Sequence, residues 1–396
     1  MHISKRLSAL KPSATLAVTA KARELQAQGR DVIALAAGEP DFPPPDHVRE
    51  AVAAEARQGI TRYGPAPGGL EVREAIASQL QEVRGVEYTP DQVVLTNGGK
   101  HALFNTMAAL LDPGDEVLIP APYWVTYPAQ VELLDGVVRI VMAEDVQGFK
   151  VTPRQLDESM TDRTRCVLFN NPSNPTGALY SPDEVRAFTE VCVERGVVIV
   201  SDEVYDSITY GEAEYLSPAS VSPEAAENTV LINSLSKSYA MPGWRIGYLA
   251  GPAAWTKKVT SFQGQATHHP SALAQAAALA AYTGSREKVE EMREAFRQRR
   301  DFLLEAFEGI PGFQVAVPPQ GAFYLFPRIT DLIDSVDGVS DDVEACTWLL
   351  EQTGVALVPG SAFGAPGYLR LSYAASMEDL EEAVERIGET MGGLDQ

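Results

Sequence analysis

Cysteine, histidine, basic charge and long apolar runs are all scarce in this sequence, and each scarcity excludes something. The three cysteines, Cys166, Cys192 and Cys346, form no CxxC pair and are odd in number. No disulfide scaffold is expected, and reduced thiols in a cytoplasmic protein are the simplest reading. Five histidines include His268-His269 but no HExxH, so no metal site is expected. The apolar stretch SALAQAAALAAY (271–282) is too short to span a bilayer and reads as a buried helix. The first residues, MHISKRLSALKPSATLAV, are basic yet lack a continuous apolar segment, which argues against a secretory leader. Lysine and arginine total 32 against 54 acidic residues, a formal net charge of −22. That balance disfavours nucleic acid and anionic membranes as partners, and any anionic ligand needs locally clustered cations.

What is present is ample core material. At 396 residues and 45% hydrophobic content, the chain predicts two domains. From about residue 90 to 260, short β-branched runs alternate with helical patterns, the signature of parallel βαβ units. VVLT (93–96), EVLIP (116–120), CVLFN (166–170), VVIVSDE (197–203) and TVLINS (229–234) read as strands. Each is mostly apolar and ends in polar or turn residues, as strands buried on both faces do when their carboxyl ends open onto a site. REKVEEMREAFRQRRDFLLEAF (286–307) reads as a long amphipathic helix. The strands and helices after it suggest a smaller α+β unit. The expected fold is α/β, a mostly parallel central sheet flanked by helices, with that smaller unit beside it. The expected boundaries are an arm and part of the small domain at 1–45, the large domain at 46–285, and the small domain at 286–396.

Four groups terminate the strand-like runs. Lys237 follows TVLINS, Asp202 ends VVIVSD, NNPSNPTG (170–177) follows CVLFN, and NGGK (97–100) opens a helix after VVLT. Each has an ordinary explanation. A loop lysine is usually solvated, an aspartate often caps a helix, and Asn-Pro runs make turns. Neither asparagine before proline is a glycosylation acceptor. NGGK lacks the GxxxxGK[ST] pattern of a nucleotide loop, although glycines opening a helix present N–H groups that suit a phosphate.

Taken together the motifs carry a resemblance. KPSAT, AAGEPDF, RYGPAPG, NGGKHALFN, APYWVTYP, NPSNPTG, SDEVYD, SLSKSYAMPGWRIGY, GAFYLFP, VPGSAF and LRLSYA run through nearly the whole chain. The sequence resembles the fold-type I, class I/II aminotransferases that depend on pyridoxal 5'-phosphate, most of all the bacterial aspartate aminotransferase subgroup. The resemblance implies that Lys237 carries the cofactor and moves the substrate proton. It implies that Asp202 keeps the cofactor's ring nitrogen protonated, with Asn174 and Tyr205 on the ring's phenolic oxygen and Trp124 on its face. It places the phosphate on Gly99, Lys100, Ser234 and Arg245. Tyr63 resembles a tyrosine lent to the neighbouring subunit, which implies a homodimer with shared active sites. Read without that partner, Tyr63 is an exposed loop aromatic.

Substrate positions follow in the same way. Arg370 resembles the arginine that grips the α-carboxylate, and Gly38 a backbone contact. SFQGQATHHPSA (261–272) has no arginine for a distal carboxylate, so Lys100, Ser13 and Thr15 are the candidates, with Lys11 nearby. His101, where relatives often carry glutamine, and His268-His269 depart from the pattern. The implied reaction is amino exchange between L-aspartate and 2-oxoglutarate by alternating half-reactions. Alternatives are a glutamate/aspartate–prephenate or aromatic aminotransferase, a lyase on the same scaffold, or a non-catalytic effector module. The last normally follows a DNA-binding segment, for which the arm near residue 1 leaves no room.

Overall fold

The computed structural model describes residues 2–10 and 14–394. Its strands are β1 (Ile33–Ala34), β2 (Val93–Thr96), β3 (Glu116–Ala121), β4 (Val137–Met142), β5 (Thr164–Asn170) and β6 (Val198–Asp202), followed by β7 (Thr229–Ser234), β8 (Gly247–Ala250), β9 (Tyr324–Leu325), β10 (Val355–Ala356), β11 (Val358–Pro359) and β12 (Leu369–Ser372). Seven of them form one sheet in the order β2-β8-β7-β6-β5-β3-β4. Every pairing from β7 to β4 is parallel, while β8 runs antiparallel to both β2 and β7.

Alternate residues of these strands enter different cores, as the two-residue side-chain period requires. Val117, Ile119, Cys166 and Leu168 face a cluster with Leu103 and Met107 of the helix Gly99–Leu110. Leu118, Val167 and Phe169 face a cluster with Val185, Phe188 and Cys192 of the helix Pro182–Arg195. That is why the strands read as near-continuous apolar runs. All three thiols are buried and unpaired, and burial pushes Cys166 up to about 12.

The apolar stretch at 271–282 is the helix Ala272–Thr283, with Ala274, Ala277, Ala278 and Ala281 buried. The long helix spans Glu287–Phe307 and buries Val289, Met292, Phe296, Arg299, Leu303 and Phe307 at three- and four-residue spacing. It shares a core with the helices Asp342–Thr353 and Met377–Gly392 and with β9, β10 and β12. β1, from the N-terminal segment, pairs in parallel with β10. That segment is more ordered than an arm: it holds the helices Lys5–Ala9 and Ala14–Ala27. The helix-forming run ATLAVTAKARELQA carries the second, a signal outweighed in the sequence by the Pro/Gly composition that follows.

Candidate active site

The carboxyl ends of β2, β5, β6 and β7 open onto one cavity of about 430 Å³. At its first edge β2 stops at Thr96 and the chain turns through Gly98, with φ +85°. A Cβ there would lie 2.7 Å from Arg245 Nη2, so only glycine admits both this conformation and that approach. The helix Gly99–Leu110 starts at once, and the N–H groups of its first turn have no partner within the helix. Opposite, Ser234 ends β7. Its Oγ accepts from Ser236 N at 3.0 Å and donates to Ser236 Oγ at 2.7 Å. Arg245, left-handed at φ +54°, donates from Nη1 to Pro242 O at 2.7 Å. Gly99, Lys100, Ser234, Ser236 and Arg245 all line the cavity. N–H groups, hydroxyls and a guanidinium around one end make an anion cradle.

Lys237 lies in the short helix Leu235–Ser238 after β7, and its Nζ donates to the carbonyl of Gly38. Gly38 must lack a side chain, because a Cβ would meet Tyr324 Oη at 2.7 Å. Burial, with Arg370 next in effect, pulls the Lys237 pKa down to about 8. The amine is therefore neutral far more often than a surface lysine at the same pH. Asp202, at the end of β6, is 4% exposed and caps no helix. Tyr127 Oη donates to its Oδ2 at 2.7 Å, while Oδ1 is buried with no partner among the described residues. Burial raises the Asp202 pKa to about 6, opposed by the Tyr127 hydrogen bond, by the nearby Val204 backbone N–H and by Lys237.

Asn174 and Tyr205 are also buried against the cavity. Asn174 N donates to Asn170 Oδ1 at 2.8 Å, which fixes the loop after β5. Tyr205 Oη lies 2.8 Å from Tyr324 Oη. Trp124 is half-buried on the cavity wall, its ring 5.5 Å from that of Tyr127 and nearly perpendicular to it.

Arg370, in β12, is 2% exposed. Nη1 donates to Asn174 Oδ1 at 2.9 Å and Nη2 to Ala36 O at 2.8 Å, and the guanidinium stacks on Tyr324 at 4.4 Å. Among the described residues no carboxylate figures among its partners, the groups that act on it being Tyr324 and Tyr205, and Nε has no partner. Lys100 Nζ sits 4.9 Å from the Trp124 ring, and burial, followed by Arg245, lowers its pKa. Thr15 lines the same cavity; Ser13 and Lys11 lie outside the described residues. Tyr63 is not brought to the cavity of its own chain. It is 90% exposed, with its ring 5.7 Å from His268 and 6.2 Å from His269.

Sequence reasoning missed Tyr127 and Tyr324. Tyr127 could have been found from its place three residues after Trp124, in the first turn of the helix Thr126–Leu133. The residues present fit pyridoxal phosphate. The orphaned Asp202 Oδ1 suits a protonated ring nitrogen, the glycine-opened helix and Arg245 suit a phosphate, and the depressed Lys237 amine suits an aldehyde.

Comparison with known proteins agrees over the full length. The family model "Aminotransferase class I and II" matches residues 30–387. The aspartate aminotransferase of Geobacillus stearothermophilus is 49% identical over 387 residues, covering 98% of both chains. The aspartate/prephenate aminotransferase of Thermus thermophilus is 45% identical, covering 98% of this chain and 99% of its own. The structure of the Thermus thermophilus aspartate aminotransferase with maleate superposes with a TM-score of 0.93 at 44% identity, over 98% of this chain and 99% of that one. This chain belongs to the class I and II aminotransferases, enzymes of the fold-type I architecture that work with pyridoxal 5'-phosphate.

Proposed function

We propose that the protein exchanges an amino group between L-aspartate and 2-oxoglutarate, giving oxaloacetate and L-glutamate in two alternating half-reactions. The observation that carries the reading is Arg370, a buried guanidinium on the cavity with no carboxylate of its own. A buried cation of this kind is costly unless a ligand neutralises it, and its planar fork matches an α-carboxylate. Lys100, on the same cavity and with no acidic group among the causes that shift it, supplies a second cation for a distal carboxylate. Relatives named for aspartate, and one solved with maleate, a dicarboxylate, support the choice.

When bound, pyridoxal phosphate supplies an aldehyde for amine exchange and a ring that accepts electron density from the substrate α-carbon. The chain's residues do the rest. The backbone N–H groups of Gly99 and Lys100, with Ser234 and Arg245, would hold the phosphate, with Tyr63 lent by the partner subunit of a homodimer. Asp202, oriented by Tyr127, would hold a proton at the ring nitrogen. Asn174 and Tyr205 would hydrogen-bond the phenolic oxygen, and Trp124 would cover the ring face. Arg370 orients the substrate, helped by the Gly38 backbone and by Ser13 and Thr15. Lys237 would hold the cofactor's aldehyde, and its amine would serve as the base that moves the proton at the substrate α-carbon. We place the protein in the cytoplasm and divide it into a large domain, 46–285, and a small one, 286–396, completed by the first 45 residues.

The test is donor selectivity. With 2-oxoglutarate as acceptor, kcat/KM for L-aspartate exceeds that for L-alanine by about 100-fold or more, as one added carboxylate contact requires. Equal values would remove the dicarboxylate site. A second reading, prephenate as acceptor, draws on the relatives named for both activities; turnover of prephenate with L-glutamate measures it directly.

A further inference from the structure

His101 is a departure from the motif that the reaction does not use, and its surroundings are specific. It stands in the first turn of the helix Gly99–Leu110, and its Nδ1 accepts the Asn97 N–H at 3.1 Å. On the other ring edge Nε2 lies 3.4 Å from Thr267 Oγ1, and that hydroxyl donates to His268 O at 3.3 Å. The directions agree in one tautomer only: a lone pair on Nδ1 and the proton on Nε2. Asn97 is thus held through both of its backbone polar groups, because its carbonyl accepts from Arg245 Nη2 at 3.4 Å. Gly98 and Gly99, which follow, carry the backbone of the anion cradle.

We propose that neutral His101 is a positioning residue for the phosphate end of the site, fixing the Asn97–Lys100 loop and Arg245 through its Nδ1 lone pair. The inference rests on the cofactor reading given above. A protonated ring would turn a donor toward the Asn97 N–H, and the loop would lose its anchor. Burial already holds the His101 pKa below the usual histidine range, in favour of the accepting form. The titratable groups on the segments it touches are Lys100 on its own helix, Arg245 at Asn97, and His268 beyond Thr267.

The experiment is equilibrium binding of pyridoxal phosphate to the apoprotein, followed by absorbance from about pH 8 to about pH 5.5 across the histidine range, for wild type, His101→Ala and His101→Gln. His101→Ala weakens binding about tenfold, the effect of one lost anchoring hydrogen bond. His101→Gln, whose amide oxygen accepts without titrating, keeps the wild-type affinity at the alkaline end and loses less of it toward acid. Titration of the phosphate and of Lys237 is common to all three proteins, so the difference isolates His101. Two results overturn the proposal: an alanine variant that binds like wild type, or alanine and glutamine variants equally weakened. If His101→Ala does not fold, a glutamine variant with the wild-type pH profile overturns it alone. Wild-type protein that binds no cofactor at all would instead remove the cofactor reading and this inference with it.

Discussion

Two buried arginines, Arg299 and Arg370, have nearly the same surroundings and opposite partners. Both are under 10% exposed and both lie over aromatic rings, Arg299 4.9 Å from Phe42 and Arg370 4.4 Å from Tyr324. Arg299 meets Asp41 through two parallel hydrogen bonds, 2.7 Å and 2.8 Å, and clamps the N-terminal segment onto the long helix. Arg370 has a side-chain amide and a backbone carbonyl, both neutral. A buried guanidinium needs an anion. Where the chain supplies one, the residue is structural; where it supplies none, on a cavity wall, we propose that the anion is a substrate carboxylate.

The sharpest way to break this contrast is to remove each arginine and ask which property falls. Arg370→Ala lowers kcat/KM for aspartate by ~30- to ~4,000-fold, the effect of roughly 2–5 kcal/mol from a lost bidentate contact. Its melting temperature falls less than that of Arg299→Ala. Arg299→Ala leaves Asp41 without its cation and costs about 2–3 kcal/mol of stability, read by denaturant unfolding, with KM for both acids near wild type. The reverse pattern would reverse the assignment. Lys100→Ala narrows the preference for aspartate over alanine by about tenfold, as loss of one less buried cation should.

The pair also separates by pH. Lys237 is held at about 8 first by burial and then by Arg370. Below that value the amine is mostly protonated and cannot attack an aldehyde, so cofactor uptake by the apoprotein speeds up with pH, is half-maximal near pH 8 and levels off above it. Replacing Arg370 with glutamine removes a like charge, raises the Lys237 pKa and moves the plateau to higher pH. Replacing Arg299 leaves the plateau in place. Stopped-flow uptake traces measure both. At the small end, Arg297→Ala on the exposed face of the same long helix produces no measurable change in melting temperature, although Arg297 pairs with both Glu294 and Asp301.

Much of the parallel sheet was legible because its strands are apolar on both sides and stop on polar residues at the cavity: VVIVSD ends on Asp202, TVLINS on Ser234. Local period and local chemistry were enough there. β8 was not legible, since GYLA holds neither a β-branched residue nor a polar stop, and its antiparallel pairing with β2 and β7 is a tertiary feature. The Tyr127–Asp202 hydrogen bond joins residues 75 positions apart, and only the β3–β5–β6 pairing brings them together. Tyr324 likewise reaches Tyr205 from a separate sheet, β9 and β12. Gly38 could be named from its motif, but the reason for glycine there is that tyrosine hydroxyl. Arg370 was identified in the sequence; its contrast with Arg299 exists only in three dimensions, because Asp41 is 258 residues from its partner.

The account stands or falls on a single turnover. L-Aspartate is added to the cofactor-loaded protein with no keto acid present, and the visible absorption of the lysine-bound cofactor is followed together with released oxaloacetate. The account predicts that the visible band bleaches completely and that oxaloacetate appears in an amount equal to the active sites. A band unchanged by aspartate, with no oxaloacetate formed, would contradict it.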